Sequence, residues 1–336
     1  MIKEAISQLV KRKDLLISEM ELVMEEIMTG KASPAQIASF LTALRMKGET
    51  IDEIVGAANI MRNHVTRIKT NRDLVLDTCG TGGDESFTFN ISTICAFVVS
   101  GAGIPVAKHG NRSVSSRCGS ADLLSALGVN IEAEENIVSE CIDKIGIGFL
   151  FAPALHKAMH FAVAPRREIG IRTVFNILGP MTNPAGARHQ LIGVYGKELT
   201  EPIAKALGRL GSKHALIVHG EDGLDEVTTT GYTQISELKD AKVGTFMISP
   251  EDFGIKRASA DDLKGGDCDY NAKIALEILG GNKGSRRDVV ILNAACAIYA
   301  ADRTSDIGEA VKLAEDAIVS GAALLKLEQL KELTNR

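Results

Sequence analysis

The first 70 residues carry hydrophobic positions at helical spacing. Apolar side chains between residues 37 and 44 recur every three or four positions, which places them on one face of a helix. Ser33-Pro34 supplies an N-cap and a proline at the first helical position. Residues 18–21 and 50–53 have the capping-box spacing that begins a helix. We therefore predict a helical unit at the N-terminus that packs against the rest of the chain or dimerises.

From about residue 72 the pattern changes to apolar strands that alternate with helical runs. Such alternation predicts an α/β fold with a mainly parallel sheet covered by helices, and ligands at the carboxyl ends of its strands. Helical spacing returns from about Asp269. The predicted strands are Leu74–Leu76, Val106–Lys108, Gly148–Phe151, Leu191–Tyr195 and Ala215–His219, and the predicted helices include Thr93–Ser100, Ala121–Leu127 and Ile203–Leu210.

Composition narrows the class of protein. The chain has 336 residues, of which 45% are hydrophobic, so it can form one large domain or a large and a small one. Its formal charge of −5 argues against broad electrostatic binding to nucleic acid or to an anionic membrane. If the substrate is an anion, the positive charge that binds it must be local.

The six cysteines show no C-x-x-C pairing, and most lie in apolar or glycine-rich surroundings. Free buried thiols are therefore expected, and a disulfide framework or a zinc site is not. The N-terminus has no apolar signal core, and no apolar run reaches membrane-spanning length. These features predict a cytoplasmic protein without a membrane partner.

Three glycines occupy four consecutive positions within residues 77–84, which read Asp-Thr-Cys-Gly-Thr-Gly-Gly-Asp. Glycine weakens helices and strands, so its concentration here indicates a turn in which backbone N–H groups approach a ligand closely. A glycine-rich turn between a strand and a helix favours a phosphate group. The alternative is a tight turn with no ligand, because an isolated glycine motif is weak evidence.

Two further polar segments follow predicted strands or begin predicted helices. Residues 108–116, which read Lys-His-Gly-Asn-Arg-Ser-Val-Ser-Ser, combine two cations with an imidazole, an amide and three hydroxyls. Such a loop can donate many hydrogen bonds to phosphate oxygens, although a solvated polar loop is the alternative. Residues 90–93, Asn-Ile-Ser-Thr, place an amide and two hydroxyls at a helix start, where ordinary N-capping is equally consistent.

Asp225-Glu226 is an acidic pair close after a predicted strand. Adjacent carboxylates suit Mg²⁺, which prefers one or two carboxylates together with waters and substrate phosphates. A solvated acidic loop is the alternative for these two residues alone. Asp77, His109 and Gly220 each follow a predicted strand, so we expect their loops to share one rim of the sheet.

Residues 164–173 contain three arginines, one of which could bind a carboxylate with a bidentate fork; surface salt bridges are the alternative. Residues 175–184 form an apolar run closed by Gly-Pro, which could line an aromatic pocket or belong to the core. His156 is either a lining residue or a structural histidine. No Ser/His/Asp or Cys/His arrangement indicates nucleophilic catalysis.

Taken together and in order, these motifs resemble the anthranilate phosphoribosyltransferase family of tryptophan biosynthesis. The likeness spans nearly the whole chain, and it is the ordered set, not any one motif, that is specific. The residues that carry it are Gly80-Thr81-Gly82-Gly83-Asp84, Asn90-Ile91-Ser92-Thr93, the loop 108–116, Gly119-Ser120-Ala121-Asp122, Arg166, the run 179–184 (Gly-Pro-Met-Thr-Asn-Pro) and Asp225-Glu226.

The resemblance implies transfer of the phosphoribosyl group of phosphoribosyl pyrophosphate to the amine of anthranilate, with Mg²⁺ and release of pyrophosphate. It also implies the fold of the nucleoside phosphorylases and a homodimer. A small helical domain would span residues 1–70 with a contribution from about 165–188. The larger α/β domain would span residues 71–164 and 189–336.

The resemblance further assigns roles residue by residue. Ser92, Asp225 and Glu226 match metal-binding positions. Gly80, Asn111 and Arg166 match anthranilate-binding positions, with His109, His156 and Pro180 near that pocket. The positions that match the phosphoribosyl pyrophosphate site are Gly80, Gly83, Asp84, Thr88, Asn90, Ile91, Ser92, Thr93, Lys108, His109, Gly110, Asn111, Arg112, Ser113, Val114, Ser115, Ser116 and Ser120.

The sequence departs from the family pattern at two places, and two alternative functions remain open. The sequence has Glu85-Ser86-Phe87 where the family often has Gly-Ser-Asn, and Cys118 where serine is common. A pyrimidine nucleoside phosphorylase of the same fold is the first alternative, and the 108–112 loop and the acidic pair speak against it. A relative that binds nucleic acid and lacks transferase activity is the second, and the charge of −5 gives it no support.

Overall fold

Parallel strands organise the larger part of the molecule. The computed structural model describes residues 1–84, 86–113 and 117–336. Within them one seven-stranded sheet has the order β3-β2-β1-β4-β5-β6-β7, in which β1 to β5 are parallel and β6 and β7 are antiparallel. The strands are β1 (Leu76–Gly80), β2 (Val106–Gly110), β3 (Ile147–Phe151), β4 (His189–Gly193), β5 (His214–Gly220), β6 (Thr233–Lys239) and β7 (Lys242–Ile248).

Helices cover both faces of this sheet. The parallel strands are buried along nearly their whole length, as expected for strands that are packed on both sides. The helices are α1 (Ile2–Leu9), α2 (Ile17–Met28), α3 (Pro34–Lys47), α4 (Ile51–His64), α5 (Ile91–Gly101), α6 (Ser120–Ala126), α7 (Glu135–Glu140), α8 (Ala152–Leu155), α9 (His160–Ile169), α10 (Phe175–Leu178), α11 (Thr200–Arg209), α12 (Cys268–Leu279), α13 (Ser285–Ala300), α14 (Ile307–Val319) and α15 (Ala322–Thr334).

The first four helices form a small bundle beside the α/β layers. α2 packs on α4 and α1 packs on α3, while α9 from the middle of the chain packs against α2 and α3. Its core includes Met24 and Phe40, which are fully buried. Glu53 is also fully buried, where its carboxylate accepts hydrogen bonds from Leu15 N (2.9 Å) and Lys47 Nζ (2.8 Å). The charge is therefore paired, as a buried carboxylate requires.

The chain contains a small helical domain and a larger α/β domain with a mainly parallel sheet, as predicted. Ser33 caps α3 by accepting a hydrogen bond from Gln36 N, and Thr50 caps α4. The helix predicted after Ser18 is present as α2, but Ser18 does not cap it: the N-cap is Leu16, two residues earlier, whose N–H donates to Glu19 at 2.9 Å. Among the described residues, no helix is long and apolar enough to cross a membrane.

The sequence pattern misplaced two features of the sheet. Leu74–Leu76 was predicted as a strand followed by a turn, but β1 runs from Leu76 to Gly80, since every one of its residues pairs with β4. Asp77 and His109 consequently lie within strands and not in loops after them. The hairpin of β6 and β7 was not predicted, because β7 is largely exposed and lacks the apolar run that marks the parallel strands.

Candidate active site

The carboxyl ends of β1, β2, β4 and β5 form one rim of the sheet. Each of these strands ends in a glycine: Gly80, Gly110, Gly193 and Gly220. In a parallel sheet this edge is where ligands bind, because the loops that follow the strands converge there. The predicted glycine stretch, the 108–116 loop and the acidic pair all leave from this rim.

Asp225 packs against two glycines, Gly80 at the end of β1 and Gly193 at the end of β4, where a side chain would leave no room for it. A Cβ on Gly193 would come within 1.5 Å of the Asp225 carbonyl oxygen, and a Cβ on Gly80 would come within 2.7 Å of its carboxylate. The Asp225 carboxylate also accepts a hydrogen bond from Gly82 N at 2.7 Å. The glycine loop is therefore held against the acidic pair.

Glu226 lies on the other side, at the start of α5. Its carboxylate accepts a hydrogen bond from Ser92 N at 3.0 Å, in the first turn of that helix. Burial raises the pKa of Glu226 to about 7, against the opposing effects of Lys108 and Ser92. Burial and the charges of Asp84 and Glu226 likewise raise the pKa of Asp225 well above its usual range. These carboxylates repel one another, and a cation between them would relieve that repulsion.

Lys108 is the nearby positive charge. It is 4% exposed, and its Nζ donates a hydrogen bond to the carbonyl oxygen of Thr78. Asp77, which is fully buried beneath it, accepts hydrogen bonds from His109 N (3.0 Å) and Asn183 Nδ2 (2.7 Å). Burial raises the pKa of Asp77, and the Lys108 charge opposes that rise. In this arrangement Lys108 is an internal counter-charge to the buried acids.

Asn90 stands at the N-cap of α5 but makes no side-chain capping bond. Its amide donates instead to the carbonyl oxygen of Cys118 (2.9 Å) and its Oδ1 accepts from Asn271 (3.1 Å), so the alternative interpretation of this segment, ordinary N-capping, does not hold for Asn90. Thr93, one turn on, is 1% exposed, and its hydroxyl has no hydrogen-bond partner among the described residues. The N–H groups of this first turn are already engaged: Ile91 N donates to Phe89 O (2.8 Å), Ser92 N to Glu226 (3.0 Å) and Thr93 N to Asn90 O (3.2 Å). An anion that binds here would have to displace one of these acceptors.

The loop after β2 is organised by Asp122, to which the sequence pattern assigned no role. Its carboxylate accepts hydrogen bonds from Arg112 Nη1 (2.9 Å), Ser113 N (3.0 Å) and Gly119 N (3.0 Å). Ser120 Oγ accepts a hydrogen bond from Asn111 N at 3.1 Å. Gly119 and Asp122 at the start of α6 form only half of a capping box, because Asp122 accepts from Gly119 N but a glycine has no side chain to accept the return bond.

His109 and His156 form a pair on the far side of this rim. Their Nε2 atoms lie 3.2 Å apart, and His109 Nδ1 lies 3.2 Å from the carbonyl oxygen of Gly179. Burial lowers the pKa of His109 to about 3 and that of His156 to about 4, so both rings are neutral near pH 7. Since the carbonyl can only accept, His109 carries its proton on Nδ1 and His156 carries its proton on Nε2.

Arg166 on α9 is the charged residue among the predicted anthranilate contacts. Its guanidinium stands 5.2 Å from the centre of the Phe175 ring, and burial lowers its pKa. Among the residues that the structure describes, no carboxylate lies within ion-pair distance of it. A half-buried arginine without an acidic partner can bind the carboxylate of a ligand.

Arg172 and Tyr195 were not predicted from the sequence as parts of the site. The Arg172 guanidinium donates to the carbonyl oxygen of Gly83 and lies 4.3 Å from the centre of the Tyr195 ring. Tyr195 N in turn donates to Thr81 Oγ1 at 3.1 Å. The segment between α9 and α10 is thereby connected to the glycine loop, a contact between distant parts of the chain that no local pattern signals.

The donor set at the rim suits Mg²⁺. Asp225 and Glu226 offer carboxylate oxygens and Ser92 offers a hydroxyl, and hard oxygen donors are those that this ion prefers. Among the residues that the structure describes, no group of three or more His, Cys, Asp or Glu side chains that could hold a metal is found. Mg²⁺ would therefore take its remaining ligands from waters and substrate phosphates, as it does in many phosphate-binding sites. The residues present therefore fit the metal.

Several residues that were predicted to contact a substrate make other contacts in the structure. Thr88 forms an isolated bridge with Lys264, and Pro180 uses its carbonyl oxygen to accept a bond from Gln190 (2.8 Å). Phe87, where the sequence departs from the family pattern, is 57% exposed with a φ of 53°, a conformation that is unusual for a bulky residue. The predicted residues Val114, Ser115 and Ser116, and Glu85 of that departure, lie outside the described residues.

Both parts of the chain match one family. Residues 3–65 match the glycosyl transferase family helical bundle domain, and residues 72–324 match the glycosyl transferase family a/b domain. Relatives named anthranilate phosphoribosyltransferase include a protein of Geotalea uraniireducens, 54% identical with 100% of both chains covered. Another, from Pelobacter propionicus, is 55% identical with 99% of both covered.

Solved structures agree with this assignment. Anthranilate phosphoribosyltransferase of Thermus thermophilus is 42% identical with a TM-score of 0.94, and 99% of each chain is covered. The Saccharomyces cerevisiae enzyme, solved with PRPP and Mg, is 30% identical with a TM-score of 0.90, covering 99% of this chain and 98% of that one. The chain therefore belongs to the anthranilate phosphoribosyltransferase family and has both of the domains that this glycosyl transferase fold comprises.

Proposed function

We propose that this protein transfers the 5-phosphoribosyl group of phosphoribosyl pyrophosphate to the amine of anthranilate, a step of L-tryptophan biosynthesis. The products are N-(5′-phosphoribosyl)anthranilate and pyrophosphate, and Mg²⁺ is the metal. The observation that carries the proposal is the acidic pair Asp225-Glu226, held between the glycine loop and the N-terminus of α5. The yeast relative, which was solved with PRPP and Mg, supports both ligands.

The diphosphate end of the donor would lie between the glycine loop and α5. Backbone N–H groups of Gly82 and Ser92 face this space, where they now bind the carboxylates of Asp225 and Glu226. Ser92, Asp225 and Glu226 would hold Mg²⁺, which when bound neutralises charge on the leaving pyrophosphate. Phosphate oxygens can take over the N–H groups once the carboxylates turn to the metal.

The remaining predicted donor residues surround the same space. The loop after β2, shaped by Asp122, would present Asn111 and Ser120 to the donor, while Lys108 supplies positive charge from below. Ordered polar groups of this kind stabilise charge that develops in the transition state without rearranging at the moment of reaction.

The acceptor end would lie at the histidine pair. Because His109 and His156 are both neutral, neither supplies the positive charge that a carboxylate needs. Arg166 lacks an acidic partner among the described residues and is the candidate that clamps the anthranilate carboxylate. Gly80, Asn111 and Pro180 are the other proposed acceptor contacts.

The chemistry that these residues support is positioning and electrostatic stabilisation. The aromatic amine of anthranilate is a weak nucleophile, so the C1–O bond to pyrophosphate must lengthen and leave positive charge on the ribose before the C–N bond forms. Arg166 would orient the amine toward C1 while the rim holds the leaving group. No side-chain nucleophile is needed for such a direct transfer.

The decisive experiment measures pyrophosphate release from phosphoribosyl pyrophosphate with Mg²⁺, with and without anthranilate. We expect release that requires both Mg²⁺ and anthranilate. Thymidine with inorganic phosphate serves as the control for nucleoside phosphorolysis, and no base should be released. Phosphorolysis of thymidine without anthranilate-dependent pyrophosphate release would contradict the proposal.

We also propose that the protein is a cytoplasmic homodimer. The six cysteines are free thiols, which is consistent with a reducing compartment. Val10, Leu16 and Met46 on the helical bundle are exposed apolar side chains, and we propose that the dimer interface covers them. Light scattering during gel filtration tests the dimer, and a monomer at micromolar concentration would contradict it.

A further inference from the structure

A cavity of about 280 Å³ lies at the edge of the sheet opposite the candidate active site. It is bounded by residues 68–75, which lead into β1, by residues 185–189, which lead into β4, and by Lys213 before β5. β1 has five residues, so its length of about 17 Å separates this cavity from the glycine loop. We call it the hinge pocket, because residues 68–75 follow α4 of the helical bundle and residues 185–189 follow α10, which packs against α4.

The hinge pocket is lined by three exposed cations, Arg72, Arg188 and Lys213. None of the three has a carboxylate within ion-pair distance among the residues that the structure describes. The Arg72 guanidinium donates to the backbone carbonyl oxygen of Asp143. Asp73 is the acidic residue in the lining, and it forms no ion pair with these cations within the described chain. The lining therefore carries an excess of positive charge on a protein whose formal charge is −5.

A further cation lies behind the lining. Arg62 is half-buried, and its guanidinium donates to the carbonyl oxygens of Met181 (2.7 Å) and Leu210 (2.8 Å) and to no carboxylate among the described residues. Burial, together with the charges of Arg67 and Arg188, lowers the pKa of Arg62 to about 10. Near Arg72 the Asp143 carboxylate provides negative charge, since the hydrogen bond from Thr70 and, to a smaller extent, the charge of Arg72 lower the pKa of that carboxyl. Arg62, Arg188 and Lys213 have no carboxylate within ion-pair distance among the described residues, and a bound anion would relieve the repulsion between these like charges.

We propose that the hinge pocket binds a small dianion, a phosphate ester or a dicarboxylate. Arginine forks match both groups in a bidentate manner, and Lys213 adds a mobile point charge. The volume is near the lower end of that of small-molecule pockets, which fits a compact metabolite. An anion here would contact both connecting segments at once.

The test compares binding of inorganic phosphate and of succinate to the full-length protein by calorimetry and by hydrogen exchange. We expect saturable binding, with amide exchange slowed in residues 68–75 and 185–189. The double variant Arg188→Gln/Lys213→Gln should bind at least tenfold more weakly. Both of its side chains are exposed, so the variant is expected to fold. Lys256→Gln/Lys283→Gln, which removes the same charge from exposed positions elsewhere, is the matched control.

The two ligands distinguish the source of the anion, since tighter binding of phosphate indicates a phosphate ester and tighter binding of succinate indicates a dicarboxylate. Hydrogen exchange separates this pocket from phosphate that binds at the candidate active site, which lies at the other end of β1. Absence of protection in the two connecting segments would overturn the proposal. An equal loss of affinity in the control variant would also overturn it, because total charge and not the pocket would then explain the binding.

Discussion

The carbonyl oxygen of Asp225 occupies the space that a side chain on Gly193 would need. A Cβ built on Gly193 would lie 1.5 Å from that oxygen and 2.4 Å from the carbonyl carbon, both of which are backbone atoms. The end of β4 therefore sets the position of the acidic pair that follows β5. No rotation of a side chain can relieve this contact, so the loop itself must move if Gly193 is replaced.

Gly193→Ala should impair Mg²⁺-dependent activity. Displacing Asp225 breaks its hydrogen bond to Gly82 and misplaces a proposed metal ligand, so the Mg²⁺ concentration for half-maximal activity should rise at least tenfold. Gly244→Ala is the control, since that glycine lies on β7 and a Cβ there meets nothing within 4 Å. Steady-state kinetics over a range of Mg²⁺ concentrations measure the effect. A wild-type Mg²⁺ dependence in Gly193→Ala would show that this contact does not set the metal site.

Arg166→Ala should raise the KM for anthranilate. Loss of a charge-assisted bidentate contact costs roughly 1.5–3 kcal/mol, which corresponds to about a 10- to 100-fold change. The KM for phosphoribosyl pyrophosphate should change little. Arg167→Ala removes the neighbouring, exposed arginine and should leave both KM values near those of the wild type. If Arg166→Ala keeps the wild-type KM for anthranilate, the proposed clamp is wrong.

In the double variant Asp225→Ala/Glu226→Ala, activity should no longer respond to Mg²⁺. Without metal, the same variant should be more stable than the wild type at alkaline pH. The pKa values of both carboxyls are raised in the folded state, so their ionisation removes stability as the pH rises through the folded values. Above about pH 7, where Glu226 ionises, the variant should therefore unfold at higher denaturant concentration than the wild type.

The control for this double variant is Glu134→Ala/Glu135→Ala, an adjacent pair of exposed acids before and at the start of α7. It should keep both the Mg²⁺ response and the wild-type stability. Normal Mg²⁺ dependence in Asp225→Ala/Glu226→Ala would refute the assignment of these residues to the metal. Lower stability than the wild type at pH 8 would refute the repulsion between the two carboxylates.

The histidine pair should make stability depend on pH below neutrality. The pKa values of His109 and His156 fall to about 3 and about 4 in the folded state, below the usual value of 6.5. Between about pH 4 and 6.5 the unfolded chain therefore binds more protons, and the free energy of unfolding rises with pH. Each histidine contributes up to about 1.4 kcal/mol per pH unit in this window.

Denaturant unfolding at several pH values measures this contribution. The double variant His109→Asn/His156→Asn should show a smaller slope of unfolding free energy against pH than the wild type between pH 4 and 6.5. The difference between the two proteins isolates the histidines, because the carboxyl groups titrate in both. Equal slopes would mean that the pair is not held neutral in the folded state.

Local chemistry explains which parts of the fold could be predicted from the sequence. The cap at Ser33 depends on a hydrogen bond to Gln36, three residues away, so its signal lies within one turn of helix. Ser18 failed as a cap because Glu19 provides a competing bond to Leu16 N, and a capping pattern does not say which of two nearby starts is more stable. The end of β1 was misplaced because its pairing with β4 involves residues more than 100 positions away.

In the candidate site, too, the features that residue types signal were predicted and the features that depend on contacts between segments were not. The acidic pair, the glycine loop and Lys108 could be predicted because their residue types suit phosphate and metal. The structure then brings these three segments to one rim of the sheet. Asp122 was missed because its carboxylate acts by accepting two backbone N–H bonds and one from Arg112 within the segment that precedes α6, and Arg172 was missed because it donates to a backbone carbonyl of the distant glycine loop. Nothing in the identity of an aspartate or arginine indicates such a partner.

The sequence by itself determined the helical and α/β parts, the family, and the chemical types available at the rim, since periodicity, capping and side-chain chemistry are local properties. Only the tertiary structure decided that Gly193 makes room for Asp225, that Lys108 is buried beside the acids, and that the two histidines share one hydrogen bond. Those relationships depend on distances between segments far apart in the chain. Burial then sets the charge of each group, because the free energy of a charge depends on what surrounds it.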